Sequence, residues 1–195
     1  RFLQEWNFRS RWRSSQPVTI HHDASGSGFG FYLSSLPEKF EHASLPAQLQ
    51  LGSAFAGSFA PEHAACNDRS IQYGELLAIA CSVAMYGPYI QNGALLVKTD
   101  NIADVHIINR QRTTSKDLQT LLRAMYRVCA EYNIDLRAEH VPGEENDVAD
   151  LLSRPARHMR RSHVPRSLLH SHTRIHFIHS SSLEMDGCPC WTWTS

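Results

Sequence analysis

The chain has 195 residues, 42% of them hydrophobic, which suffices for one globular domain with its own core. Nineteen basic residues balance nineteen acidic ones, so a scaffold drawn to nucleic acid or membrane by net charge alone is excluded. No run of 18 or more apolar residues and no charged-then-apolar leader is present, which argues against a membrane span or a secreted protein and for an intracellular one, cytoplasmic or nuclear. The five cysteines are odd in number and scattered, and three of them lie in apolar segments, as expected of buried thiols in a reducing compartment. The first residue is Arg1, which leads us to expect a fragment of a longer polypeptide.

Composition divides the chain into three zones. Residues 1–16 hold Trp6 and Trp12 among arginines and read as a linker or the tail of a preceding domain. Residues 17–154 alternate strand-like and helix-like patterns. Residues 155–195 are basic and rich in His and Ser without a sustained period, and we expect them to be disordered.

In the middle zone, PVTIHHDAS is a strand of β-formers leading to a polar end. The glycines of SGSGFGFYLSS allow a tight turn into a second strand, and SAFAGSFAP continues the meander. IQYGELLAIACSVAMYG has helical apolar spacing and ends at Gly87-Pro88. ALLVKTD is a short buried strand. NIADVHIINR and SKDLQTLLRAMYRVCAEY are amphipathic helices, the second striped by Leu118, Leu121, Leu122, Met125 and Val128. IDLRAEHV is a strand, and EENDVADLLSR closes with a helix. The order β-β-β-α-β-α-α-β-α implies an α/β protein with a mixed five-stranded sheet flanked by helices.

Carboxylates fall at the ends of these elements. Asp23 ends the first strand, Asp100 ends the fourth, Glu75 lies in the first turn of the first helix, and Asp150 sits among apolar residues on the last. If the first and fourth strands are neighbours, Asp23 and Asp100 converge at one edge, where the helices can bring Glu75 and Asp150. Clustered carboxylates repel one another unless protons or cations neutralise them. Oxygen-only donors select Mg²⁺ or Mn²⁺, and two such ions suit in-line phosphodiester displacement. Each residue also has a plainer reading: Asp23 as a turn residue, Glu75 as favourable charge near a helix start, Asp100-Asn101 as a helix cap.

DAS–G–GFG, YGELLAI, LLVKTDN and HVPGEENDVADLLSR together resemble the ribonuclease H domain of reverse-transcribing retroelements. TDN with the following INRQRTTS is similar to the tyrosine-recombinase (DIRS-like) type in particular, and FLQEWN resembles the segment joining reverse transcriptase to this domain. The resemblance covers roughly residues 1–155. It implies a ribonuclease H-like fold and a hydrolase that cuts the RNA strand of RNA–DNA hybrids by a two-metal mechanism. It also implies two Mg²⁺ (or Mn²⁺) ions on Asp23, Glu75, Asp100 and Asp150, and a reverse transcriptase partner. Asn146 matches the family's asparagine on the last helix. Cellular relatives carry a histidine in a flexible loop after the glycine of this motif; here Gly143 is followed by Glu144, so that histidine has no counterpart. Asp147 competes with Asp150 as the last ligand, and the motif favours Asp150.

Distinguishing RNA from DNA requires contacts to successive 2′-hydroxyls. Candidate donors are Ser25, Ser27, Asn101 and backbone amides of the Gly26–Gly28 turn. Arg110 and Arg112, in the loop between the two middle helices, are candidates for phosphate contacts, or ordinary loop arginines. His21 and His22 read as packed rather than ligating. The Cys188-Pro-Cys190 pair fits no structural zinc pattern. The competing functional class is a non-catalytic nucleic-acid-binding or connecting module on the same fold.

Overall fold

The computed structural model describes residues 16–26, 28–38, 51–59, 71–154 and 175–179. Strands β1 (Val18–Ala24), β2 (Gly28–Ser35) and β3 (Ala54–Ser58) form the expected antiparallel meander. Helix α1 (Ile71–Tyr86), strand β4 (Ala94–Thr99), helices α2 (Ile102–Arg110) and α3 (Lys116–Glu131) and strand β5 (Asp135–His140) follow. A 3₁₀ turn (Gly143–Glu145) then precedes helix α4 (Asp147–Ser153). The sheet runs β5-β4-β1-β2-β3-β6, where β6 is Ile175–His179.

The five expected strands are therefore present, with a sixth beside them. Ile175–His179, in the stretch expected to be disordered, pairs in parallel with β3 from Ala54 opposite Ile175 to Ser58 opposite His179. Backbone hydrogen bonding along the edge of β3 supplies the order that the composition of this stretch does not signal.

Strand β1 is central, parallel to β4 on one side and antiparallel to β2 on the other. All seven of its residues are buried, since both faces of the sheet are covered. Its register sets His21 opposite Lys98 in β4. Parallel neighbours end on the same side, so the same offset continued two residues brings Asp23 level with Asp100. The carboxyl edge of a sheet, where connections leave in opposite directions, is where such folds hold their ligands.

The two faces differ in what they pack against. Val18, Ile20, Phe29, Phe31, Leu33 and Phe55 belong to the main core, together with Leu76, Ile79 and Val83 of α1 and Leu121, Leu122 and Met125 of α3. Alternate residues turn the other way. On that side Ala54 and Ala56 of β3 form a smaller cluster with Val148 and Leu152 of α4, flanked by Tyr32. Burying Leu152 there contributes about 1.5–3 kcal/mol.

Glycine makes this second contact close. A Cβ on Gly30 would lie 2.6 Å from the backbone of Leu152 and Ser153, and one on Gly28 would lie 2.8 Å from the Ser153 carbonyl oxygen. Only glycine lets α4 lie on β2 at this distance.

The chain departs from the expected boundaries in three further places. Arg110 ends α2 rather than lying in the loop. Glu75 is the fifth residue of α1, and the first turn of that helix holds no acid, so the plainer reading of Glu75 as a helix-start charge fails. The last helix is interrupted at its start: Asn146, at φ −105° and ψ 18°, separates the 3₁₀ turn from α4. No helix among the described residues is long and apolar enough to cross a membrane.

Candidate metal centre

Three of the four expected carboxylates meet. One oxygen from each of Asp23, Glu75 and Asp100 lies within 4.8 Å of the others. Asp23 arrives on the buried end of β1 and Glu75 on the buried face of α1, while Asp100 follows β4 and is exposed. One side of the cluster is thus walled by protein and the other faces solvent.

The electrostatics are those of carboxyl groups crowded together and partly removed from water. Burial, opposed by the Ser153 hydroxyl and reinforced by the charges of Asp100 and Asp150, raises the Asp23 carboxyl to about 6. Burial, with the charges of Asp23, Asp104 and Asp100, raises Glu75 to about 9. Glu75 Oε2 is buried without a hydrogen-bond partner. A buried carboxylate oxygen with no donor is costly unless a proton or cation meets it. Oxygen donors alone, converging from three elements, fit a hard divalent ion such as Mg²⁺ or Mn²⁺.

Asp150 is near the cluster but outside that set of three. It is not the buried carboxylate that its apolar neighbours led us to expect: its side chain is 48% exposed. Ala149 and Leu152 turn inward, which leaves Asp150 at the rim. Arg154, one turn on, donates from Nη2 to both carboxylate oxygens, at 2.6 and 2.9 Å, and from Nε to Oδ1 at 3.3 Å.

The expected nucleic-acid contacts divide. Asn146, read as one of them, is 1% exposed. Its Nδ2 donates to the His22 carbonyl at 2.8 Å and its Oδ1 lies 3.4 Å from His21 Nδ1. It therefore pins the start of α4 to β1, with its side chain turned into the protein rather than toward solvent. Ser25 Oγ donates to the Ser153 carbonyl at 2.7 Å and accepts from the Gly28 amide at 3.2 Å, tying the β1–β2 turn to the end of α4. Asn101 caps α2, its Oδ1 accepting from the Ala103 amide at 3.0 Å. Arg110 and Arg112 are exposed. Ser27 lies outside the described residues, as do Cys188 and Cys190.

The two histidines before Asp23 are held internally. His22 Nε2 lies 2.5 Å from Ser82 Oγ, which itself donates to the Ile79 carbonyl. Burial, with the neighbouring His21, lowers His22 to about 3, so the ring is neutral. His21 stacks on Tyr32, ring centroids 4.7 Å apart. At the mouth of the cluster the 3₁₀ turn comes close: a Cβ on Gly143 would lie 3.4 Å from Asp100 Oδ2.

One acid escaped the sequence reading. Asp104 is 0% exposed, and neither of its carboxylate oxygens has a hydrogen-bond partner. Burial raises it to about 7, against the opposing influence of Gln72. The signal was present: Asp104 precedes Ile108 by one turn, on the face that α2 buries.

No protein-family model and no curated protein matches the chain. Solved structures do. Ribonuclease H1 of the halophilic archaeon Halobacterium salinarum superposes with a TM-score of 0.50 at 14% identity, covering 70% of this chain and 94% of that one. The N-terminal ribonuclease H domain of a Mycobacterium tuberculosis protein superposes with a TM-score of 0.51 at 16% identity, covering 70% and 95%. The fold is ribonuclease H-like. At these identities the likeness concerns architecture, and the ribonuclease H-like fold here carries its acidic cluster at the carboxyl ends of β1 and β4.

Proposed function

We propose that the chain is a metal-dependent endonuclease that hydrolyses the RNA strand of RNA–DNA hybrids, as the ribonuclease H domain of a retroelement reverse transcriptase of the DIRS-like type. The observation that carries this reading is the meeting of Asp23, Glu75 and Asp100 at the carboxyl edge of a ribonuclease H-like sheet. A module that merely bound nucleic acid would gain nothing from clustered negative charge facing phosphates.

Asp23, Glu75 and Asp100 would hold the ions, with Asp150 supplying a further carboxylate from the rim. Bound Mg²⁺ or Mn²⁺ would activate water and stabilise charge developing on the leaving oxygen. The residues of the chain contribute placement. Asn146 and the glycines of β2 fix α4, and with it Asp150, against β1 and β2. Burial of Asp23 and Glu75 strengthens their pull on a cation. Exposed Asp100 leaves the face on which a phosphodiester can approach. The reverse transcriptase domain would supply much of the grip on the hybrid, since this chain has no net positive charge.

The test is cleavage of a labelled RNA strand in an RNA–DNA hybrid with Mg²⁺ or Mn²⁺, beside Asp100→Asn. Cutting should require the metal and fall at least about a hundredfold in the variant, the loss of several kcal/mol of charge stabilisation. Folded protein that binds hybrid and does not cut would replace this reading with the binding module.

A further inference from the structure

We infer that Arg154 and a divalent cation are alternative partners of Asp150, so that Arg154 is a positioning residue that sets how readily the fourth carboxylate joins the metal centre. The inference rests on the proposed reading of that centre. Its basis is the fork that Arg154 places on Asp150. Nη2 reaches both carboxylate oxygens and Nε reaches Oδ1, so no oxygen of Asp150 lacks the guanidinium. A carboxylate held in this way offers a metal only what it first takes back from the arginine.

The scaffold confines the exchange to two side chains. Helix α4 does not slide, because the Leu152 and Ser153 backbone abuts Gly30, Ser153 accepts from Ser25, and Asn146 holds the other end to β1. Asp150 and Arg154 are about half exposed, 48% and 56%, so both can turn without unpacking the core. The competing charges are close: Asp150 adds to the upward shift of Asp23, and Asp23 in turn is felt at Arg154. The Asp150 carboxylate therefore lies between a monovalent partner just past the end of its helix and a cluster of acids that draws a divalent one.

Exposed ion pairs of this kind are weak, and their loss corresponds to roughly a two- to fivefold change in an equilibrium constant. That is enough to tune metal occupancy and too little to prevent it. Mn²⁺ binding to the full chain, followed by the spin-resonance signal of the free ion, tests the inference. Arg154→Gln should tighten Mn²⁺ by roughly two- to fivefold. Arg154→Lys should also tighten it, because the charge remains while the fork is lost. In an Asp150→Asn background the Gln substitution should change nothing. Arg154→Lys behaving as wild type would reduce the effect to charge at a distance and overturn the inference, as would an unchanged affinity in Arg154→Gln. Failure of wild type and every variant to bind Mn²⁺ would overturn the metal-centre reading itself.

Discussion

Replacing Asp104 with Asn should make the metal-free protein lose less stability than wild type between pH 5 and pH 8. The carboxyl titrates at 3.8 in the unfolded chain and at about 7 in the folded protein, where burial penalises its charge. Between those values the unfolded chain has lost the proton while the folded protein retains it. Stability therefore falls as pH rises from 3.8 to about 7, then levels off. At about 1.36 kcal/mol for each unit of pKa, the whole window amounts to roughly 4 kcal/mol, and most of it, roughly 3 kcal/mol, falls between pH 5 and pH 8. Asparagine cannot ionise, so the variant lacks this slope. Any fixed cost of fitting the amide beside Gln72 is common to both pH values and cancels. Urea unfolding in EDTA at pH 5 and pH 8 gives the comparison directly. Asp23 and Glu75 titrate in both proteins and largely cancel, apart from the coupling of Glu75 to Asp104, which acts in the same direction. Equal pH dependence in the two proteins would refute the assignment of Asp104 as a buried acid without a partner.

Mg²⁺ at tenfold its dissociation constant should raise the unfolding free energy by about 1.4 kcal/mol if it binds only the folded chain. At a fixed Mg²⁺ concentration the gain should be larger at pH 8 than at pH 6, because protons on Asp23 and Glu75 compete with the ion, and thermal melts of Asp100→Asn should lose it. Gly30→Ala should cost about 1–3 kcal/mol in urea unfolding, since the new Cβ meets the backbone of Leu152 and Ser153 and α4 must lift. Ser82→Ala leaves the buried His22 Nε2 without its hydroxyl partner, and the same assay should register a loss of about 1–3 kcal/mol.

The sequence by itself determined the element order and most of the centre. Helical apolar spacing in α1 and α3, β-formers in β1 and β4, and the glycines after Asp23 are properties of contiguous residues, and contiguous residues fix local conformation. They place Asp23 and Asp100 at strand ends, so a parallel pairing of β1 with β4 was all that was needed to bring them level. Glu75 came with them, though one turn deeper in α1 than its neighbours implied. What the tertiary structure alone decided depends on contacts between distant segments. Asn146 turned inward because His22 lies beside it only after α4 docks on β1. Asp150 emerged at the rim because the close approach at Gly28 and Gly30 turns Ala149 and Leu152, and not their neighbour, toward the sheet. Ile175–His179 gained order from the free edge of β3, a partner that no local pattern announces. Asp104 became a buried acid because α2 sinks that face against the core. Periodicity tells which residues share a face; only the packed fold tells what each face meets.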